Sequence, residues 1–287
     1  MDAYIVVDME GISGITDGRM IRTGHSQWAD RGRQRATEEV NTVIDGALEG
    51  GAKRVYVKDG HDSGENILSE ELHEEAELIA GSTAWKDLMP GIEDGFDMVL
   101  LVGFHARMGT TNAHFDHTVS TATISEVRLN SRPVGEIGIY AAYAGTHGVP
   151  VGAVTGDVAA VEESSELLGD IETVAVKHGL GRTVARVRSP EQTGPEIREA
   201  AQRAIEGTGE TWSPETPVHF SVDFLRSADA DMAETVPEAE RVGARTVKYQ
   251  HDNPEVAFDG LQALINLGGI AASNWGRAVY TTGAANQ

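Results

Sequence analysis

Apolar residues in this chain come in short blocks that end in acids or histidine. Ile5-Val6-Val7 runs into Asp8-Met9-Glu10-Gly11, and Val55-Tyr56-Val57 into Lys58-Asp59-Gly60-His61. Val99-Leu100-Leu101-Val102 runs into Gly103-Phe104-His105. These blocks are rich in β-branched residues and lack period-two alternation, as expected for strands buried on both faces of a parallel sheet. The pattern predicts strands over Tyr4–Val7, Val55–Lys58 and Asp97–Val102. From about Ser26 to Leu48 the spacing is helical, and Gly50-Gly51 supplies a stop. Residues 11–24 are polar and glycine-rich, so a loop is expected beside the first acids.

Further along, Ile124–Leu129 and Arg132–Val134 flank Asn130-Ser131, a tight turn between two strands. Glu136 opens a helix of small residues to about Tyr143. A strand over Pro150–Val154, an acidic helix over Val158–Leu168 and a strand over Ile171–Val176 follow. After Ser189-Pro190 the texture changes to a charged helix from about Pro195 to Glu206 and a Gly- and Pro-rich stretch to Pro217. Strand-like Val218–Phe224 and Ala244–Tyr249 come next, then a helix from Pro254 to about Leu267 with Asn253 as its N-cap. Alternating strands and helices predict an α/β fold, a mostly parallel sheet flanked by helices, with a smaller C-terminal α/β domain. The change of texture places the expected boundary between two domains at residues 1–190 and 191–287.

Composition narrows the partners. The chain has 287 residues, enough for one large domain or two modest ones. No apolar run approaches the roughly 20 residues that span a bilayer. No signal-peptide core stands at the N-terminus, and the absence of cysteine excludes disulfides and thiolate ligands. Cytoplasmic residence is the simple expectation. A formal charge of −22 argues against nucleic acid, which needs clustered Lys and Arg. Five lysines stand against eighteen arginines. Acid-rich and lysine-poor together suggest a halophilic protein in molar salt, where the Debye length falls to about 3 Å. The plainer alternative is an acidic protein with a GC-rich coding sequence.

The block ends carry the chemistry. Asp8 and Glu10, two apart on extended backbone, point the same way. Adjacent carboxylates repel, and a divalent cation between them relieves the repulsion; backbone capping of a loop is the alternative. His61 lies between Asp59 and Asp62, two acids able to orient its ring. His105 repeats the arrangement after another strand. His114 and His117 sit in a long loop, residues 106–118, of a length that in a compact domain is usually functional or disordered. Glu136 alone reads as helix-end stabilisation. Taken together, Asp8, Glu10, His61, His105 and Glu136 form a sulfur-free N/O set suited to zinc, with manganese or cobalt as alternatives, at a two-metal hydrolase centre. His25, His73, His147, His178, His219 and His251 are scattered and assigned to surfaces or loops.

Val7-Asp8-Met9-Glu10-Gly11-Ile12-Ser13-Gly14 resembles the N-terminal signature of the DppA-type zinc D-aminopeptidases. The likeness extends through Asp59-Gly60-His61-Asp62-Ser63, Gly103-Phe104-His105-Ala106-Arg107 and Asn130-Ser131-Arg132-Pro133-Val134-Gly135-Glu136, over roughly residues 1–180. The resemblance implies Asp8, Glu10, His61, His105 and Glu136 as ligands of two zinc ions per subunit, with Asp8 bridging. It also implies a catalytic histidine, His117 being the best match and His114 its rival. A ring-like homodecamer acting on short peptides or amino-acid amides with a free N-terminus is implied too, with residues 1–190 as the metal-binding catalytic domain and 191–287 serving oligomerisation or a channel. D specificity is carried only by the family's name. The competing readings are a metal-dependent amidohydrolase on another small amide and a non-catalytic metal-binding protein, whose metals would be coordinatively saturated.

Overall fold

The three tipped blocks lie side by side in one sheet. A computed structural model describes residues 1–82 and 87–280. Its strands in chain order are β1 (Asp2–Val7), β2 (Arg54–Asp59), β3 (Ala76–Ile79), β4 (Met98–Phe104), β5 (Ile124–Leu129) and β6 (Arg132–Val134). They continue with β7 (Val151–Asp157), β8 (Glu172–Gly181), β9 (Val184–Val187), β10 (Val218–Phe224), β11 (Glu240–Arg241) and β12 (Thr246–His251). The α-helices are α1 (Arg33–Glu49), α2 (Glu136–Thr146), α3 (Val158–Leu168), α4 (Pro190–Glu206), α5 (Ser227–Ala233) and α6 (Pro254–Tyr280).

These elements form two units. The first draws on residues 1–83, 89–116 and 136–213. Its seven-stranded sheet has the order β3-β2-β1-β4-β7-β8-β9, parallel except for the β8–β9 hairpin. The chain steps from β1 outward to β2 and β3, then returns to place β4 on the other side of β1. That reversal makes the C-terminal ends of β1 and β4 a topological switch point, where the flanking connections diverge and leave a crevice. Register makes the ends flush: Val7 lies opposite Asp59 on β2 and Val102 on β4. Asp8, His61 and His105 therefore emerge at one edge.

Ala3, Ile5 and Val7 pack in one buried cluster with Val40 and Ile44 of α1 and Ile197, Ala201 and Ile205 of α4. This is the core that fixes β1 in the sheet. Helix α1 is preceded by a π-helical turn over Trp28–Gly32, so the helical stretch predicted from Ser26 changes its hydrogen-bond pattern partway. Helix α4 begins at Pro190 instead of Pro195, with its proline at the first turn, where a missing N–H costs nothing.

Gly11 has no room for a side chain. Its N–H donates to the Gly103 carbonyl at 2.7 Å, and a Cβ there would lie 2.0 Å from the Phe104 oxygen. Gly103, at φ +73°, presents that carbonyl from a left-handed conformation. The segment after β1 thus crosses the end of β4 backbone to backbone. Gly11→Ala should destabilise the chain by about 3 kcal/mol, since neither backbone can yield without moving its strand. A urea unfolding midpoint equal to that of the unsubstituted chain would contradict this.

The second unit comprises residues 84–88, 117–135 and 214–287. Its sheet has the order β11-β12-β10-β5-β6 and is antiparallel throughout. Strand β10 alternates cleanly: Val218, Phe220, Val222 and Phe224 are buried, and His219, Ser221 and Asp223 face the other way. Phe220 meets Phe258 of α6 edge to face at 5.0 Å. The predicted hairpin is present, with Asn130 and Ser131 both at positive φ as a two-residue hairpin turn demands. Asn253 accepts from the Glu255 N–H at 2.9 Å, the expected cap. Among the described residues no helix is long and apolar enough to cross a membrane.

Candidate metal centre

Asp8 leaves β1 at the switch point and is almost wholly buried, 5 % exposed. Its backbone N–H continues the sheet to Val102, and its Oδ1 accepts from the Met9 N–H at 2.8 Å. Four further side chains gather around this carboxylate. His61 Nδ1 lies 3.0 Å from Asp8 Oδ1 and 3.0 Å from Glu10 Oε2. His105 Nε2 lies 3.3 Å from Asp8 Oδ2 and 3.1 Å from Glu136 Oε1. Glu136 stands at the first turn of α2, within the first unit.

The outer face of each imidazole decides what the inner face can do. His61 Nε2 is 2.8 Å from the Ile21 carbonyl, and His105 Nδ1 is 3.0 Å from the Ala106 carbonyl. A carbonyl oxygen only accepts, so in both rings the outer nitrogen carries the proton. Each inner nitrogen of a neutral ring then turns a lone pair toward two carboxylate oxygens. Lone pair against carboxylate is repulsive unless a cation, either a proton or a metal ion, lies between them. Asp59 and Asp62 flank His61 and are expected to orient its ring, but the outer ring nitrogen is held by the Ile21 carbonyl instead. Asp59 accepts from the backbone N–H groups of Asn66 and Ile67 and from the Asn66 side chain. Asn66 in turn donates to the His61 carbonyl at 2.7 Å, which shapes the loop.

Charge points the same way. Burial, and then the Glu10 charge, push the Asp8 carboxyl up to about 7. Burial disfavours a cation on His61 and His105, yet the surrounding carboxylates outweigh it and raise both well above the ordinary imidazole value. For His61 those are Glu10 and Asp8, and for His105 Glu136, Asp8 and Glu10. Such a cluster holds cations by construction. Asp8 Oδ2 is buried with no hydrogen-bond partner among the described residues. Donor atoms of Asp8, Glu10 and His105 all lie within 4.8 Å of one another, close enough to bind a common ion. With three carboxylates, two oriented imidazoles and no sulfur, the donor chemistry fits zinc.

The two loop histidines fare differently. His114 is 1 % exposed, and its backbone N–H donates to Asp157 Oδ2 at 2.8 Å. Burial, then the Lys177 charge, bring its imidazole down to about 4, so it is neutral at pH 7. His117 is half-buried and directly follows Asp116. Asp116 is held by the Gly109 N–H at 2.7 Å and by Arg182 at 3.2 Å. Of the histidines assigned to surfaces or loops, His25, His73 and His251 accept the N–H two residues on, a turn role. Sequence reading missed Asn66, Lys177 and Glu39, all buried polar groups behind the ligand-bearing segments. A lone lysine after Val174-Ala175-Val176 was the one available signal.

The chain is similar to known proteins over nearly its whole length. The profile of the D-aminopeptidase peptidase family matches residues 1–263. The D-aminopeptidase of Bacillus subtilis (strain 168) is 34% identical over 274 residues, covering 93% of this chain and 97% of the relative. The solved structure of the Zn-dependent D-aminopeptidase DppA from Bacillus subtilis, a self-compartmentalizing protease, superposes with a TM-score of 0.89 at 32% identity, covering 94% of this chain and 98% of that one. Matched along nearly its whole length, the chain belongs to the D-aminopeptidase family of metallopeptidases.

Proposed function

We propose that this chain is a two-zinc aminopeptidase that removes N-terminal residues from short peptides, with D-amino-terminal peptides as its preferred substrates. The observation that carries the reading is the sharing of Asp8: one oxygen faces His61 beside Glu10, the other faces His105 beside Glu136. Asp8, Glu10, His61, His105 and Glu136 would hold the two zinc ions, with Asp8 shared between them; when bound, such a pair would polarise the scissile carbonyl and supply an activated water.

The chain's own residues supply orientation and proton handling. Ile21 and Ala106 hold the two imidazoles in the tautomer that directs a lone pair inward. Burial of the carboxylates removes competing water and strengthens their hold on cations. We assign His117 to stabilise the oxyanion or to protonate the leaving amine, a role open to imidazole near neutral pH. His114, neutral and enclosed, is less suited to touch substrate. Manganese or cobalt replacing zinc, a cytoplasmic setting and a need for high salt belong to this proposal as well. So does assembly into a homo-oligomer, supported by the self-compartmentalizing character of the Bacillus subtilis structure.

The test is hydrolysis of paired D- and L-dipeptides in molar salt by enzyme stripped of metal and reloaded with zinc, manganese or cobalt. Zinc-restored cleavage with a D preference is the expected result. Cleavage of L-peptides alone would keep the chemistry and discard the stereochemistry. Two tightly bound metals without cleavage of either would move the activity to another small amide or to metal binding alone.

A further inference from the structure

Behind the ligand-bearing segment sits a buried cation that the proposed chemistry does not use. Lys177, on β8, is 1 % exposed. Its Nζ donates to the carbonyls of Glu10 at 2.5 Å, Ile12 at 3.1 Å and Ile15 at 2.6 Å. An ammonium has three N–H donors, so all three are spent on one six-residue stretch that begins at Glu10. Burying a charge is costly, and a methionine of similar length would fill the space without that cost. Packing alone therefore does not account for lysine here. Fixing the path of residues 10–15 does.

Glu39 of α1 holds the same stretch from another side. Its Oε2 accepts from the Ser13 N–H at 2.8 Å, and Ser13 Oγ lies 2.8 Å from Thr193 Oγ1. Its Oε1 accepts from Thr155 Oγ1 at 3.4 Å, and Thr155 Oγ1 accepts from the Gly103 N–H at 2.9 Å. The network so reaches the end of β4, two residues before His105.

We propose that Lys177 is a positioning residue of the metal centre: by gripping three carbonyls of residues 10–15 it sets where the Glu10 carboxylate stands. The inference rests on the two-zinc reading. It is tested by comparing the zinc dissociation constant, by chelator competition, and the visible spectrum of the cobalt-loaded protein for the unsubstituted chain, Lys177→Met and Ile44→Val. Ile44 lies in the core between α1 and the sheet, so its variant reports loss of stability alone. Lys177→Met should weaken zinc binding by about 10- to 100-fold, the usual cost of losing a group that orients a ligand, and should alter the cobalt spectrum. It should lower kcat more than it raises KM, whereas Ile44→Val leaves binding and spectrum unchanged.

Zinc binding within about twofold of the unsubstituted chain, with the same cobalt spectrum, would overturn the proposal, because that is far below the loss an orienting group causes. Should Lys177→Met fail to fold, Glu39→Gln decides: about tenfold weaker zinc binding upholds the network's role, and unchanged binding refutes it. Failure of the unsubstituted chain to bind two zinc ions would instead sink the two-zinc reading itself.

Discussion

Asp8→Asn should abolish most of the activity, lowering kcat/KM by at least about a thousandfold, some 4 kcal/mol of transition-state stabilisation. The two oxygens of Asp8 face different imidazoles, Oδ1 toward His61 and Oδ2 toward His105. An amide presents one acceptor oxygen and an NH2 group that only donates, so it cannot offer an oxygen to each of two cations. Bound zinc, measured by elemental analysis, should fall below two per chain. The fold should survive, because burial and Glu10 already disfavour the Asp8 charge in the metal-free protein. Metal-free Asp8→Asn should thus unfold at a temperature no lower than the metal-free unsubstituted chain. Two retained zinc ions with near-normal turnover would remove Asp8 from the centre.

His117→Ala should lower kcat by about 10²- to 10⁴-fold, the usual range for a lost general acid or base, with zinc content still two per chain. KM should change little, since the imidazole acts on charge that develops in the transition state. His114→Ala is the paired comparison. A ring that is neutral and enclosed should affect stability through its packing on Phe115, 3.8 Å between centroids, more than it affects kcat. If zinc is lost from His117→Ala, the residue is a ligand and the proton-handling role fails. If His114→Ala gives the larger fall in kcat, the two roles are exchanged.

The site is assembled from strand ends, so each ligand's placement depends on a main-chain segment that other groups must hold. Gly11 does so by close backbone approach, Asn66 by bonding the His61 carbonyl, and Lys177 by a triple grip on residues 10–15. Substitutions behind the centre should therefore change metal affinity as well as stability.

The sequence alone determined the strands that carry the site, because β1, β2 and β4 are continuous apolar runs and burial on both faces leaves that mark locally. It also determined that Asp8, Glu10, His61 and His105 stand at strand C-terminal ends, since covalent adjacency suffices. The hairpin at Asn130-Ser131 was legible because its left-handed turn selects those residue types. Strand β9 was not legible, for it is an edge strand mostly exposed, with no alternation to read. Strand β3 and helix α5 are too short for a periodic signal. Helix α6 runs past Gly268-Gly269 to Tyr280, beyond the predicted end near Leu267; two glycines cost it only about 1 kcal/mol each, and a Cβ at Gly268 would strike Phe224. Tertiary structure decided the rest. Only strand order brings β1 against β4 and joins Glu136 to His105, and only three-dimensional proximity makes Ile21 and Ala106 the groups that set the imidazole tautomers. Lys177 lies 167 residues from Glu10. No local pattern encodes a contact of that separation, because it exists only once the sheet has closed around it.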